Sequence, residues 1–232
     1  MTPEIIRTSN FVADAAGFIL EQARVALAER GEFRIALSGG NTPRPIYAEF
    51  GRLSRDLPWE QVRFSFGDER CVPPNERESN FRMAQESLFV PSAVPEKSIL
   101  RMRGEIEPTL AAQEYEDALA LLATQRGETI YRHDLTLLGM GDDGHTASLF
   151  PGTAALNEQV RRVAANFVPK LNAWRLTMTL PLLNQSRQVL FLVSGEKNPE
   201  LLERVLAGAS EYPAALVAPA NGKLTWMIGQ RA

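Results

Sequence analysis

The sequence predicts an α/β fold of three αβα layers, a mostly parallel, doubly wound (Rossmann-like) sheet with a small, partly antiparallel subregion. Three observations predict it. Short continuous apolar runs lie between glycines, helical-period segments alternate with them, and glycine-rich turns follow the runs directly.

The elements follow in chain order. After Ser9-Asn10, apolar residues Val12, Ala15, Ala16, Ile19, Ala23, Ala26 and Leu27 recur at helical spacing, and Gly31 is placed to end the helix. Phe33–Leu37 is short and apolar, as a strand buried on both faces should be. It runs into Ser38-Gly39-Gly40-Asn41-Thr42-Pro43, where Thr42 reads as an N-cap and Pro43 as the first residue of a helix to about Leu53. Val62–Phe66 repeats the pattern, leading into the turn Gly67-Asp68-Glu69-Arg70, and Ser79 caps a helix through Phe89. Ile99–Met102 reads as a shorter strand. Pro108 opens a helix carrying Leu110, Tyr115, Leu119 and Leu122. Leu135–Leu138 is a further buried strand ending in Gly139-Met140-Gly141-Asp142-Asp143-Gly144-His145. Val189–Val193 ends in Ser194-Gly195, ahead of a helix capped by Asn198 and begun by Pro199. The stretch from Pro169 to Leu183, with alternating Arg175, Thr177 and Thr179, supplies the antiparallel subregion. With no repeat, low-complexity tract or flexible linker, residues 1–232 read as one domain.

Composition narrows the function. The 232 residues are 44% hydrophobic and 23% charged, within the globular range. A net charge of −3 gives no long-range field toward nucleic acid or an anionic membrane, so any anion must be bound locally. The single cysteine, Cys71, excludes an internal disulfide framework and a multi-thiolate metal site. The amino-terminal residues lack a basic segment followed by an apolar one, and no apolar run is long enough for a membrane span, so a cytoplasmic protein is expected.

Ligands of open α/β sheets bind beyond the carboxyl ends of the strands, which selects four loops. Ser38, Gly39, Gly40, Asn41 and Thr42 have the features of an anion cradle: glycines allow close backbone approach, and the following helix points its positive end at the same spot. An ordinary tight turn into a helix accounts for the same residues, and neither P-loop nor dinucleotide spacing is present. In the second loop, Arg70 is suited to grip a phosphate and Asp68 to orient a hydroxyl or water, although a solvated turn with a local ion pair is the plain alternative. His145, one of two histidines, ends a glycine-rich loop. There an imidazole, unperturbed pKa about 6.5, can take a proton from water and return it, with Asp143 holding one ring nitrogen. A structural histidine is the competing account, and it is the better one for His133 beside Asp134. Cys71 reads as a small filler rather than a nucleophile, no Gly-x-Ser-x-Gly elbow is present, and two histidines without further thiolates give no zinc spacing. Arg175 and Lys197 are isolated cations that, alone, read as surface charges.

Together these blocks resemble the 6-phosphogluconolactonase family. The resemblance rests on Ala36–Pro43, Phe66–Pro74 with Ser79–Met83, Leu138–Gly152, Leu180–Asn184 and Phe191–Lys197, in the family's order. It implies hydrolysis of 6-phospho-D-glucono-1,5-lactone to 6-phosphogluconate in the oxidative pentose phosphate pathway and a fold shared with glucosamine-6-phosphate deaminase. It also implies no cofactor and no metal. The partner it implies is a small sugar-phosphate lactone, with no nucleic acid, membrane or obligatory protein partner. Carried over by position, the Ser38–Thr42 loop, Arg70, Arg175 and Lys197 surround the phosphate, and His145 is the catalytic base with Asp68 and Asp143 as polar neighbours. Backbone N–H groups near Gly144 or a nearby cation hold the oxyanion. The segment Pro169–Trp174 departs from the family's proline-rich form just before Arg175. The deaminase is the rival on this fold, and it resembles the chain less: its ring-opening glutamate, five residues past the histidine, is Phe150 here. A non-catalytic sugar-phosphate sensor would keep the cradle and dispense with the histidine.

Overall fold

The computed structural model describes residues 2–195 and 198–230. A six-stranded parallel sheet runs β1-β9-β8-β5-β2-β3, formed by β1 (Glu4–Thr8), β2 (Phe33–Leu37), β3 (Val62–Phe66), β5 (Leu135–Leu138), β8 (Gln188–Ser194) and β9 (Lys223–Gly229). A three-stranded sheet of β4 (Asp68–Arg70), β7 (Ala173–Met178) and β6 (Val163–Val168) is antiparallel. The helices are α1 (Phe11–Arg30), α2 (Pro43–Leu53), α3 (Asn80–Ala84), α4 (Pro108–Thr124), α5 (Leu180–Leu183) and α6 (Pro199–Leu206).

Strand periodicity builds two cores. Phe33, Ile35 and Leu37 of β2, Leu135 and Leu137 of β5, and Leu190 and Leu192 of β8 face α1 and α2. Their alternates Ala36, Leu138, Val189 and Phe191 face α4, α6 and the small sheet. A residue step of two therefore loads both faces, and these strands read as unbroken apolar runs. Gly31 ends α1 at φ +69°, and its N–H donates to the Leu27 carbonyl. Ser79 and Asn198 cap α3 and α6, accepting from the N–H groups of Arg82 and Leu201. The helix expected to reach Phe89 continues past α3 as a π-helical turn, Gln85–Phe89.

Several expectations need correction. Ile99–Met102 is not a strand: Ile99 makes one isolated bridge to Phe64, at the outer side of edge strand β3. The Gly67–Arg70 turn is largely strand, because β7 supplies β4 with a partner. The antiparallel region starts earlier than Pro169, with β6 and β7 joined through Pro169–Leu171 and Asn172 at φ +46°. Strands β1 and β9 were not foreseen; they pair with each other, and β9 also with β8.

This order fixes the site. The loops after β2 and β5 leave neighbouring strands for different sides of the sheet, which opens a crevice beyond their carboxyl ends.

Candidate active site

A cavity of about 650 Å³ occupies that crevice, walled by Ser38–Thr42, Asp68, Gly139–Asp142, His145 and the Val193–Gly195 end of β8. All four sequence-selected loops thus contribute to one place: residues 38–42, Asp68 of the second loop, residues of 139–145, and Gly195 at the start of the fourth.

The first wall is held from below. Ser38 N–H donates to the buried Tyr47 hydroxyl at 2.9 Å, and that hydroxyl donates to the Ser38 carbonyl at 2.8 Å. Tyr115 ties Phe66, at the end of β3, in the same way. Gly39 is required by crowding, since a Cβ there would lie 1.8 Å from Asn80 Oδ1, and Gly40 by its φ of +94°. Thr42 is not the cap expected: it is itself helical, and its hydroxyl pairs at 2.8 Å with Ser194 Oγ at the end of β8. Pro43 opens α2 as read.

Asp68 borders the cavity with one carboxylate oxygen, Oδ2, accepting from Ser148 Oγ at 2.7 Å. Glu69 points to the other face of β4 and is structural. It accepts from the N–H groups of Arg70, Asn80 and Phe81, and burial raises its pKa against those bonds. Arg70 and Arg175 are cross-strand partners in the β4–β7 register, on the same face as Asp68 but outside the cavity wall. Burial, then the Arg70 charge, lowers the Arg175 pKa. Two cations set side by side repel one another unless an anion joins them. Lys197 lies outside the described residues.

The third wall is the tightest. In the turn after β5, Gly141 N–H donates to the His145 carbonyl at 2.9 Å, and Thr146 Oγ1 donates to the Gly139 carbonyl at 2.8 Å. His145 Nδ1 lies 2.5 Å from Asp143 Oδ1, and Lys170 Nζ donates to Asp143 Oδ2 at 2.9 Å. Burial opposes the Asp143 charge, but Lys170 and His145 prevail and hold its pKa down to about 2. The imidazole stacks on Phe150, ring centroids 4.0 Å apart at 22°. A Cβ on Gly141 would come within 2.1 Å of the same ring, so only glycine leaves room for it. Gly144 sits at φ +76° against Tyr212. Its N–H already donates to the Gly141 carbonyl at 3.1 Å, which removes it from the donors for an oxyanion.

The remaining candidates behave structurally. His133 is buried, its Nε2 2.9 Å from Ser65 Oγ, and burial pushes its pKa down to about 3. Burial pushes the Cys71 thiol up to about 11, which suppresses thiolate chemistry. Asp142, Asp143 and His145 offer ligand atoms within 4.8 Å of one another, but Lys170 already serves both carboxylates as counter-ion. Sequence reading missed Tyr47, Lys170 and the steric role of Gly141; only the last had a local signal, the Gly-Met-Gly spacing before the histidine.

Comparison with known proteins places the chain in a family. The family description "Glucosamine-6-phosphate isomerases/6-phosphogluconolactonase" matches residues 7–226. The chain belongs to this family. Within it, the chain is 41% identical to a 6-phosphogluconolactonase of Synechocystis sp., over 89% of this chain and 86% of the relative. It is 35% identical to the human 6-phosphogluconolactonase, over 95% of this chain and 87% of the relative. A crystal structure of the Thermotoga maritima 6-phosphogluconolactonase superposes with a TM-score of 0.85 at 27% identity, covering 98% of this chain and 99% of that one. The parallel sheet with its small antiparallel companion is therefore the family's α/β fold. Among the described residues, no helix is long and apolar enough to cross a membrane.

Proposed function

We propose that the protein is a 6-phosphogluconolactonase, hydrolysing 6-phospho-D-glucono-1,5-lactone with His145 as the base that activates water. The observation that carries this reading is the Asp143–His145 pair opening on the same cavity as the Ser38–Thr42 turn. A carboxylate at Nδ1 assigns the ring proton to that nitrogen and leaves the lone pair on Nε2. Nε2 takes a proton from water as the water oxygen attacks C1; the protonated ring then returns it to the departing ring oxygen. The phosphate is held by the cradle, with Lys197 and the Arg70–Arg175 pair as its cations, so that binding energy remote from C1 orients the ester. With the Gly144 N–H engaged, the developing oxyanion falls to a nearby cation. One domain, 1–232, carries all of these groups, and a reducing cytoplasm suits its single cysteine.

Phe150 favours the lactonase over the deaminase, because a phenyl ring stacked on the imidazole neither accepts nor donates the proton that sugar-ring opening requires. The test is a pair of assays on the purified chain at fixed pH: acid release from freshly generated lactone, and ammonia release from glucosamine 6-phosphate. Acid release well above the spontaneous rate, with no ammonia, is expected. Ammonia release would make the protein a deaminase, and neither activity would leave a sensor.

A further inference from the structure

A cavity larger than the one at His145 lies elsewhere in the fold. About 930 Å³ opens at the opposite end of the main sheet, around the amino ends of β2, β3, β5 and β8. A five-residue strand such as β2 separates the two ends by about 17 Å. Three carboxylates of this wall, Glu32, Glu128 and Asp134, face seven Arg and Lys side chains, in a chain whose net charge is −3.

The carboxylates are shared beyond their capacity to neutralise. Glu32 meets Arg34 at 2.8 Å, Arg126 at 3.0 Å and Arg63 at 3.4 Å, while Asp134 meets Arg30 at 2.9 Å and Arg187 at 3.3 Å. Arg34, itself buried, also reaches Glu128 at 2.6 Å and lies over the Tyr131 ring. Among the described residues Arg132 forms no ion pair; it donates to the Gln185 and Asn221 carbonyls. Its pKa is lowered by burial and then by the charge of Arg187, against the opposing pull of Asp134 and Glu128. Arg187 Nε is buried without an aligned hydrogen bond. Outside the wall, Glu29 pairs with Arg30 and Glu60 with Lys97, so these two acids add to the outer cations only.

Forked guanidinium groups match the oxygens of phosphate, and a concave site of this volume suits a small molecule. With Tyr131 almost fully buried beneath Arg34, the cavity presents charge rather than a stacking platform. We propose that this cavity binds a small oligophosphate anion at a second site, independent of the lactone site.

The test is titration of the full chain with sodium tripolyphosphate at low ionic strength, by calorimetry and thermal unfolding. Saturable binding with a raised melting temperature is expected. The Arg132→Gln/Arg187→Gln double variant should bind at least about tenfold more weakly, with lactone hydrolysis unchanged. If that variant does not fold, Arg126→Ser, at an exposed wall position, should weaken binding in the same direction. Wild-type affinity in the folded variants would overturn the proposal. So would equal stabilisation by sodium chloride at matched ionic strength, or the absence of saturable binding.

Discussion

Gly141 and His145 interlock: the ring of the histidine occupies the space that a Cβ on the glycine would fill, while the Gly141 N–H donates to the His145 carbonyl. The turn therefore sets both the backbone and the side-chain position of the proposed base. Because φ of Gly141 is not positive, the constraint is steric alone.

Gly141→Ala tests that constraint. The added methyl must displace the imidazole, and a shift of about 1 Å costs on the order of 10²-fold in turnover. Steady-state kinetics should show kcat falling by that order with KM little changed. A variant with unaltered kcat would mean that the ring position does not matter.

The Arg70–Arg175 pair makes a second prediction. If the two cations serve the substrate phosphate, Arg175→Met relieves repulsion in the empty protein and weakens only the phosphorylated ligand. KM for 6-phosphogluconolactone should rise about tenfold, while kcat/KM for unphosphorylated gluconolactone stays the same. Thermal stability without substrate should not fall. Equal losses on both lactones would remove Arg175 from phosphate binding.

Acid stability follows from Asp143. Its folded pKa, about 2, lies below the 3.8 of a free carboxyl, so its charge stabilises the fold fully above that unfolded value. The contribution disappears as pH falls from about 4 to 2. Lys170→Met removes a group that holds the carboxyl down, so the variant should lose less stability across that window than the parent. Urea unfolding at stepped pH measures the difference, and identical slopes would exclude the Lys170–Asp143 contact.

Much of this was legible in the chain, and the exceptions have physical causes. Strands β2, β3, β5 and β8 announced themselves because helices cover both faces, leaving nearly unbroken apolar runs. Edge strand β1 is largely exposed over Glu4–Arg7, so it carries no such run. Asp68-Glu69-Arg70 looked like a charged turn. It is a strand because distant groups, Ser148 and Asn80 among them, satisfy its buried acids. Thr42 had the chemistry of a cap, yet Ser194, 152 residues away, takes its hydroxyl. The glycine turns and His145 were readable locally; Tyr47 and Lys170 act across the fold, where spacing is silent.

The most direct measurement of the central claim is the rate of acid release from fresh 6-phosphogluconolactone by the His145→Ala variant, alongside its affinity for the product 6-phosphogluconate. A fall in kcat of about 10²- to 10⁴-fold with product affinity retained is predicted. Turnover equal to that of the parent protein would contradict the assignment of His145 as the base.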